Sequence, residues 1–329
     1  MVNTLLEYRG RLSEPTLRPQ FSGHETFPLR YGWLKKVFDA VYGAEVQGDS
    51  QNAKEIFLDT SAIARFGVGK NMVTSMRHWA VVCNVIQEDA NGDIATTSLG
   101  KFLFRNDGGL DPWMENASSA WVFHWNIAAC SSKVSYLWMF GYFADYKFDR
   151  NTITDQVLQL CSRKGWKVSE ATIKRDVECL VRTYAAKPSK ADVFTEDQIE
   201  SPLVELGLIQ SVNRNETFQI NRGMKPSLGN GAFLYALVDF WKQYTNAETL
   251  NLEPIAYEPL SPGRVFCLDE DAVADRLYGI EEISNGLFSW SETAGLRQVV
   301  ARKPLVDIDP MAELLLTDYD SNQGTYGVS

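Results

Sequence analysis

The stretch Leu58–Phe104 constrains the fold more than any other part of the chain. Residues 59–61 are Asp, Thr and Ser, which are types that cap helix N-termini, and apolar side chains then recur at helical spacing as far as Phe66. Gly67 stands where a helix would end in a left-handed turn, and Gly69 gives the backbone a second permissive position. The stretch is therefore predicted to begin with a short helix and a tight glycine turn.

A second helix is predicted over about Lys70–Cys83. Its apolar residues recur at spacings of three and four, which predicts one buried face made of Val73, Met76, Ala80 and Cys83. Two short strands are predicted at 85–87 and 94–97, joined by a turn at 90–93. Helix, glycine turn, helix and hairpin is the element order of a winged helix-turn-helix.

The predicted DNA-contacting side chains lie on the polar face of this second helix and at its flank. They are Lys70, Asn71, Thr74, Ser75, Arg77 and His78. Asparagine and arginine can bind adenine and guanine edges, whereas lysine, serine and histidine can contact phosphate. A winged helix used only for protein contacts is the alternative, and it stays open. A nucleotide-binding loop is disfavoured, because that pattern needs two glycines five apart and Ser or Thr after the lysine.

A polar arm, residues 1–20, precedes the motif FSGHETFPLRYGWLKK at residues 21–36. An amphipathic helix is predicted to continue from this motif to about Val41 and to pack against the glycine-turn unit, which completes a winged domain over residues 21–110. His24 and Glu25 are neighbours in the motif, so they lack the H-E-x-x-H spacing of a helical metal site.

Residues 111–148 are unusually aromatic and are predicted to form a helical core. The rings are Trp113, Trp121, Phe123, Trp125, Tyr136, Trp138, Phe140, Tyr142 and Phe143. Two helices broken near Ser131 and Ser132 would bury them, because aromatic side chains at this density usually form core. His124 lies among these rings and is predicted to be a core residue with its hydrogen bonds satisfied.

A second helix-turn-helix is predicted within residues 149–224. Its helices are Thr152–Lys164 and Ser169–Tyr184, with Gly165 in the turn and the serine as a natural N-cap. The wing would be formed by residues 203–209 and 217–220. Residues 150–184 carry a net charge of +3, which favours contacts with the DNA backbone. The predicted contacts are Lys167, Thr172, Lys174 and Arg175.

Charge is unevenly distributed along the 329 residues. Residues 245–329 hold 15 acidic and 5 basic side chains and so account for the whole net charge of −10. Residues 225–329 are predicted to form an apolar helix over about 231–244, followed by a small acidic α+β region. In that region strands are predicted at 262–268, 287–291 and 297–301, and a helix at 269–278. Overall acidity argues against a non-specific DNA coat, although a basic face on a neutral body remains compatible with it.

The cellular setting is predicted from what the sequence lacks. The longest apolar runs are shorter than a membrane span requires, and the first thirty residues resemble no signal peptide. The five cysteines form no C-x-x-C pair, which favours free buried thiols in a reducing cytoplasm over structural zinc. We therefore expect a cytoplasmic protein that does not bind membranes.

No catalytic constellation is evident in the residues. A nuclease would need clustered carboxylates around one or two divalent ions. The sequence has no clear PD-(D/E)xK, H-N-H or HxK pattern, so catalytic residues and metal ligands are left unassigned. No cofactor is predicted from the sequence itself.

Three tracts carry a resemblance to a known family. They are FSGHETFPLRYGWLKK, FGVGKNMVTSMRHW and FHWN, within residues 21–126. These tracts resemble SspB-type proteins, a domain-of-unknown-function family found with bacterial DNA phosphorothioation (DNA sulfur modification) genes. Phe66 stands where the family has leucine, a conservative change. The family motif residues that we single out are His24, Glu25 and Arg30.

The resemblance implies a DNA-engaging role in defence against phage. The implied partners are double-stranded DNA, a cysteine desulfurase, a sulfur-activating ATP pyrophosphatase and an ATPase. SspB-type members are associated with DNA nicking, so Mg²⁺ or Mn²⁺ is an implied cofactor if this chain nicks DNA. A homodimer is compatible with these expectations.

We predict a mainly α (α+β) protein. Two winged helix-turn-helix units would be joined by the aromatic helical core, with the acidic α+β region at the C-terminus. The predicted function is that of a DNA-binding component of a phosphorothioation system, with nicking as one form of that role. The alternative is a non-catalytic DNA-binding adaptor or a transcriptional regulator of the winged-helix type. A pure protein scaffold is a third hypothesis.

Overall fold

The computed structural model describes residues 10–47, 55–58, 61–186, 201–213, 216–293 and 295–319. Helices predominate and three small sheets accompany them, which confirms the predicted mainly helical α+β class. The described α-helices are α1 (Trp33–Val46), α2 (Glu55–Leu58), α3 (Ser61–Phe66), α4 (Lys70–Val82), α5 (Ser98–Phe104), α6 (Ala117–Trp125), α7 (Val134–Leu137), α8 (Arg150–Lys164), α9 (Glu170–Tyr184), α10 (Asn230–Tyr244), α11 (Leu252–Tyr257), α12 (Pro262–Val265), α13 (Glu270–Tyr278) and α14 (Ile280–Ile283).

The strands are short and pair only in antiparallel fashion within the described residues. They are β1 (Ile86–Glu88), β2 (Ile94–Thr96), β3 (Lys147–Phe148), β4 (Ile209–Asn213), β5 (Thr217–Ile220), β6 (Thr249–Asn251), β7 (Phe288–Thr293) and β8 (Leu296–Ala301). The sheets have the orders β1-β2, β3-β5-β4 and β6-β8-β7. Buried apolar residues from all the predicted segments belong to one connected hydrophobic cluster.

The glycine-turn unit has the predicted order of elements. α3 ends at Gly67, whose φ of 68° is the left-handed conformation that glycine tolerates best, and α4 begins one residue after Gly69. α1 packs across α4, and the β1-β2 hairpin follows with Ile86 opposite Thr96. The predicted capping residues at positions 59 and 60 lie outside the described residues.

The aromatic core is built from two helices that each continue as a π-helical turn. α6 continues into the π-helical turn Asn126–Cys130 and α7 into the turn Trp138–Tyr142. The two helical segments are interrupted at Ser131 and Ser132, as predicted. The rings of Trp121, Phe123, Trp125, Tyr136, Phe140 and Phe143 are buried. Trp113 does not belong to this core, because it is 75% exposed in the loop before α6.

The two helices predicted for the second helix-turn-helix lie within one or two residues of their predicted positions. α8 ends at Gly165 with a φ of 68°, and the Ser169 hydroxyl caps α9 by accepting a bond from the Thr172 N–H at 3.2 Å. The strand prediction for residues 203–209 was wrong over most of its length. Residues Pro202–Leu206 form a 3-10 helix, which Ser201 caps and a proline initiates, and β4 begins only at Ile209. Residues 214–215, between the two segments of the predicted wing, lie outside the described residues.

One further prediction, in the C-terminal third of the chain, was wrong. Residues 262–268 were predicted as a strand, but Pro262–Val265 is the short helix α12. The reason is local, because the Ser261 hydroxyl accepts a bond from the Arg264 N–H at 3.3 Å and Pro262 occupies the first helical position, where its missing N–H costs nothing. α13, β7 and β8 lie within one or two residues of their predicted positions.

The end of the described chain returns to the aromatic core. Oδ1 and Oδ2 of Asp318 accept bonds from the N–H groups of Gly231 and Ala232, both at 2.8 Å, and so cap α10 from a distant part of the sequence. Oδ2 also accepts a bond from the Ser118 hydroxyl at 2.7 Å, which ties α6 to the same carboxylate. In the part of the chain that the structure describes, no helix is both long and apolar enough to cross a membrane.

Candidate nucleic-acid interface

The loop Phe21–Leu29, here called the motif loop, lies between α4 and α9. The Phe27 carbonyl accepts a hydrogen bond from Trp79 Nε1 of α4 at 3.0 Å and from Cys179 Sγ of α9 at 3.4 Å. Arg182 of α9 donates to the Thr26 carbonyl at 3.0 Å. The motif loop therefore holds α4 and α9 together.

A buried charge cluster, made of Asp176, Lys133, His24 and His78, holds the motif loop in place. Asp176 of α9 and Lys133, at the start of α7, are both fully buried, and the ammonium group donates to Asp176 Oδ1. His24 Nε2 lies 3.0 Å from the same oxygen, while His24 Nδ1 accepts the Thr26 N–H at 3.0 Å. These two bonds require the Nε2–H tautomer in a neutral ring, so His24 donates to the carboxylate.

The electrostatics of the cluster follow from its burial. Desolvation alone would raise the pKa of Asp176, but the charge of Lys133 and the hydrogen bond from His24 outweigh it and hold that pKa at about 2. The carboxylate is therefore ionised at neutral pH. An ionised Asp176 paired with a protonated lysine leaves the cluster with no net charge.

His78 of α4 completes the cluster. Its ring lies edge-on to His24, with centroids 6.0 Å apart. Burial lowers the pKa of His78 well below its usual range, and the nearby Lys133 lowers it further, so the ring is neutral at pH 7. Among the described residues, His78 Nε2 and Asp176 Oδ2 have no hydrogen-bond partner.

Two side chains on α4 that were predicted to contact DNA are not exposed. Ser75 and His78 were placed on an exposed polar face, but both are buried. The motif loop covers this part of the helix, and the Ser75 hydroxyl lies 3.5 Å from the Phe27 carbonyl. Helical spacing identified the face correctly as polar, whereas the loop that buries it comes from a distant part of the sequence.

The N-terminal half of α4 remains outside this contact. Lys70, Asn71 and Thr74 are exposed there, beside the exposed Gly69. Arg77 is half-buried and forms an ion pair with Glu88 of the hairpin at 2.6 Å. Of the side chains predicted on α4, the lysine, the asparagine and the threonine therefore form the open surface.

The second unit repeats this division into a buried half and an exposed half. Lys167, Lys174 and Arg175 are exposed around the start of α9. Lys174 forms an exposed ion pair with Glu170 at 2.6 Å, and the Thr172 hydroxyl lies 2.8 Å from the Ser169 hydroxyl within the helix cap. Of the three predicted cations, Lys174 is therefore the one held in an ion pair, while Arg175 Nε donates to the Ala171 carbonyl at 3.2 Å.

The other two motif residues lie near the surface. The Arg30 guanidinium lies 5.7 Å from the ring centroids of Phe27 and Trp33, and Glu25 is exposed.

His124 belongs to the aromatic core. It is buried between the Tyr184 hydroxyl and the Val265 carbonyl, each at 2.8 Å. Burial lowers the pKa of His124 to about 4, which agrees with the predicted neutral core histidine.

Sequence reasoning missed Asp176 and Lys133. Asp176 was counted only in the net charge of residues 150–184, although it stands at the same helical spacing as the buried residues Ile173, Val177 and Leu180. That spacing was the available signal. Lys133 carries no comparable signal. It lies beside a distant part of the chain, because the N–H of the arm residue Gln20 donates to the Ser132 carbonyl at 2.9 Å.

Metal ligands and disulfides can be assessed from the same residues. Among the described residues, no three His, Cys, Asp or Glu side chains come together in a group that could hold a metal ion. The five cysteines are free, and four of them are buried. Burial raises the pKa of the Cys161 thiol to about 11, as expected of an unreactive structural cysteine.

Comparisons with known proteins connect this architecture to solved structures. A crystal structure of magnesium-bound SspB is 26% identical in sequence, with a TM-score of 0.80 over 96% of this chain and 92% of that one. A second SspB crystal structure is 27% identical, with a TM-score of 0.77 over 94% and 90% of the two chains. A search of curated proteins returned no match. The family of proteins of unknown function DUF4007 matches residues 21–318, and this chain belongs to that family.

Proposed function

We propose that this protein is the DNA-binding component of a DNA phosphorothioation system. The observation that carries the proposal is the division of α4 into a buried C-terminal half and an exposed N-terminal half that presents Lys70, Asn71 and Thr74. In helix-turn-helix proteins, the N-terminal residues of the second helix are the ones that contact base edges in the major groove. The link to phosphorothioation rests on the likeness to SspB.

The second helix-turn-helix supports the same proposal. Lys167 and Arg175 stand at the exposed start of α9, where backbone contacts would position the protein without reading sequence. The motif loop joins the buried halves of α4 and α9, so the two exposed ends would engage DNA as one body. Each unit would act as a winged helix-turn-helix, with β1-β2 as the wing of the first and β4-β5 as the wing of the second.

The partners follow from the same proposal. Double-stranded DNA would be the direct ligand, and the cysteine desulfurase, the sulfur-activating ATP pyrophosphatase and the ATPase of the system would act on the bound DNA. The acidic residues 245–329 carry a net charge of −10 and are unsuited to the DNA backbone. We assign that region to protein contacts within the assembly.

Duplex binding and its dependence on salt test the proposal. We expect the affinity of the wild type for a labelled duplex to fall steeply between about 50 and 200 mM salt. Lys70→Ala should weaken binding to every sequence and reduce the salt slope by about one, because one phosphate contact is lost. Asn71→Ala should cost about 1–3 kcal/mol at preferred sites only, because a base contact is lost. Fluorescence anisotropy measures both.

The matched control is Lys242→Ala, which removes an exposed lysine from α10. This variant should keep the wild-type affinity and salt slope. The proposal fails if the wild type shows no salt-dependent duplex binding, or if Lys70→Ala and Lys242→Ala have the same effect.

Nicking is a second candidate function, favoured by the magnesium ion in one SspB structure. The described residues do not fit such a site, because no group of three potential ligands is present and the buried Asp176 is already paired with Lys133. We therefore assign no cleavage step to any residue. Supercoiled plasmid incubated with Mg²⁺ or Mn²⁺ tests nicking directly. An open-circular product that chelator abolishes would support it, and equal amounts with and without protein would exclude it.

A further inference from the structure

A pocket of about 320 Å³ opens between the π-helical turn Trp138–Tyr142 and α8. Its polar and aromatic lining includes Trp138, Tyr142, Asp145, Gln156, Gln159 and Arg163. The predicted DNA-contacting residues and the charge cluster at the motif loop lie elsewhere. The volume is at the lower end of the range for small-ligand sites, which suits one flat ring system with a short attachment.

The aromatic side of the pocket is an ordered stack. The rings of Trp138 and Tyr142 are parallel to within 9°, with centroids 5.9 Å apart, and both are half-buried. The π-helical turn that carries them is closed by a bond from the Phe143 N–H to the Trp138 carbonyl at 2.8 Å. Turns of this kind are rare and recur at functional sites. A planar heteroaromatic ligand can extend such a stack.

The opposite side supplies polar groups. Trp138 Nε1 donates to Gln156 Oε1 at 3.0 Å, which fixes the amide and leaves its NH₂ group to serve as a donor. Gln159 and Asp145 are exposed at the rim, and the Arg163 guanidinium belongs to the same lining. Amide and carboxylate groups can bond the edge of a nucleobase, and a guanidinium suits the attached phosphate.

We infer that this pocket binds one unstacked nucleobase of a DNA strand. The base would stack on Trp138, the Gln156 and Gln159 amides would bond its edge, and Arg163 would contact the adjacent phosphate. This inference rests on the proposed function and gives it a second kind of contact. Its position is consistent, because α8 is the first helix of the second helix-turn-helix, and the first helix of such units crosses the DNA backbone.

Photocrosslinking of the full chain with 5-iodouracil oligonucleotides tests the inference. We expect a crosslinked peptide that contains Trp138 or Tyr142. Stacking on one aromatic side chain contributes enough that Trp138→Leu should weaken binding of a single-stranded oligonucleotide about fivefold or more. Gln159→Ala and Arg163→Ala alter exposed side chains and should weaken it without loss of fold, which guards against an unfolded Trp138 variant. Trp113→Leu, at an exposed tryptophan elsewhere, should have no effect.

The two proposals fail in different ways. A crosslink with single strands only identifies an open strand as the source of the base, and a crosslink with duplex identifies a flipped base; both support the pocket. Salt-dependent duplex binding without a crosslink at Trp138 or Tyr142, and with unchanged affinity in Gln159→Ala and Arg163→Ala, overturns the pocket alone. If duplex is not bound, the proposed function fails, and single-stranded binding unaffected by these variants overturns the pocket as well.

Discussion

Lys133→Met should lower the free energy of unfolding by about 3–5 kcal/mol, because it leaves the carboxylate of Asp176 buried without a compensating charge. Both side chains are fully buried, so water cannot take the place of the ammonium group. His24 remains as a donor to Asp176 Oδ1 and limits the loss without neutralising the charge. Urea unfolding of the wild type and the variant measures the difference.

Two further variants separate this effect from simple loss of a lysine. Lys133→Met combined with Asp176→Asn should recover part of the loss, because the neutral amide no longer needs a cation. Lys174→Met removes a lysine from an exposed ion pair with Glu170 and should lower the free energy of unfolding far less, because water screens an exposed pair. Equal losses in Lys133→Met and Lys174→Met, or strictly additive losses in the double variant, would contradict the buried pair.

The same cluster predicts a dependence on pH. The pKa of Asp176 is about 2 in the folded protein, below its usual value, so its contribution is complete above about pH 4 and disappears as the pH falls through 2. His78 lowers the stability at a higher pH than Asp176 does. Below about pH 6.5 the ring takes up a proton in the unfolded chain but stays neutral in the folded protein, because its pKa there is lowered. The free energy of unfolding should therefore decrease as the pH falls below about 6.5, and again as the pH falls from about 4 through 2. Lys133→Met should make the second decrease smaller, because the buried carboxylate of Asp176 then lacks its cation.

Gly23→Ala should lower the free energy of unfolding by about 3 kcal/mol. The backbone at position 23 has a positive φ that alanine rarely adopts, and there is no space there for a side chain. Its φ is 100°, and a Cβ there would lie 2.6 Å from Nδ1 of the buried His78. The histidine cannot move aside without disturbing its contact with His24. The variant should also weaken duplex binding, since α4 is held in place through the motif loop.

Gly32→Ala is the matched control for the backbone term. Gly32 has a φ of 73°, but no described atom lies within 4 Å of a Cβ built there. We expect a cost of about 1–2 kcal/mol from the left-handed conformation alone. Thermal unfolding of both variants would show the difference as a larger drop in Tm for Gly23→Ala. An equal drop in the two would mean that His78 does not restrict the motif loop.

Local signals in the sequence account for the parts of the fold that were predicted correctly. Gly67 and Gly165 terminate α3 and α8 in the left-handed conformation, and Ser169 caps α9, so these helices end or begin close to the predicted residues. The errors arose where a cap or a turn competed with strand propensity. Ser261 and Pro262 start a helix in a segment that its apolar residues alone had suggested was a strand.

The charge cluster depended on contacts that the sequence does not encode locally. Asp176, Lys133 and His24 are far apart in the chain, and each is a residue type that is usually exposed or weakly buried. The motif FSGHETFPL was recognisable, but its position between α4 and α9 was not. That position explains why Ser75 and His78 are buried while Lys70 and Asn71 remain exposed.

We propose that the exposed starts of α4 and α9 engage one duplex together. The most direct test is the salt dependence of duplex binding by the wild type, Lys70→Ala, Lys167→Ala and the double variant. We expect each single variant to reduce the slope of log affinity against log salt by about one, and the double variant to reduce it by about two. Slopes that stay at the wild-type value in all three variants, with affinity unchanged, would contradict it.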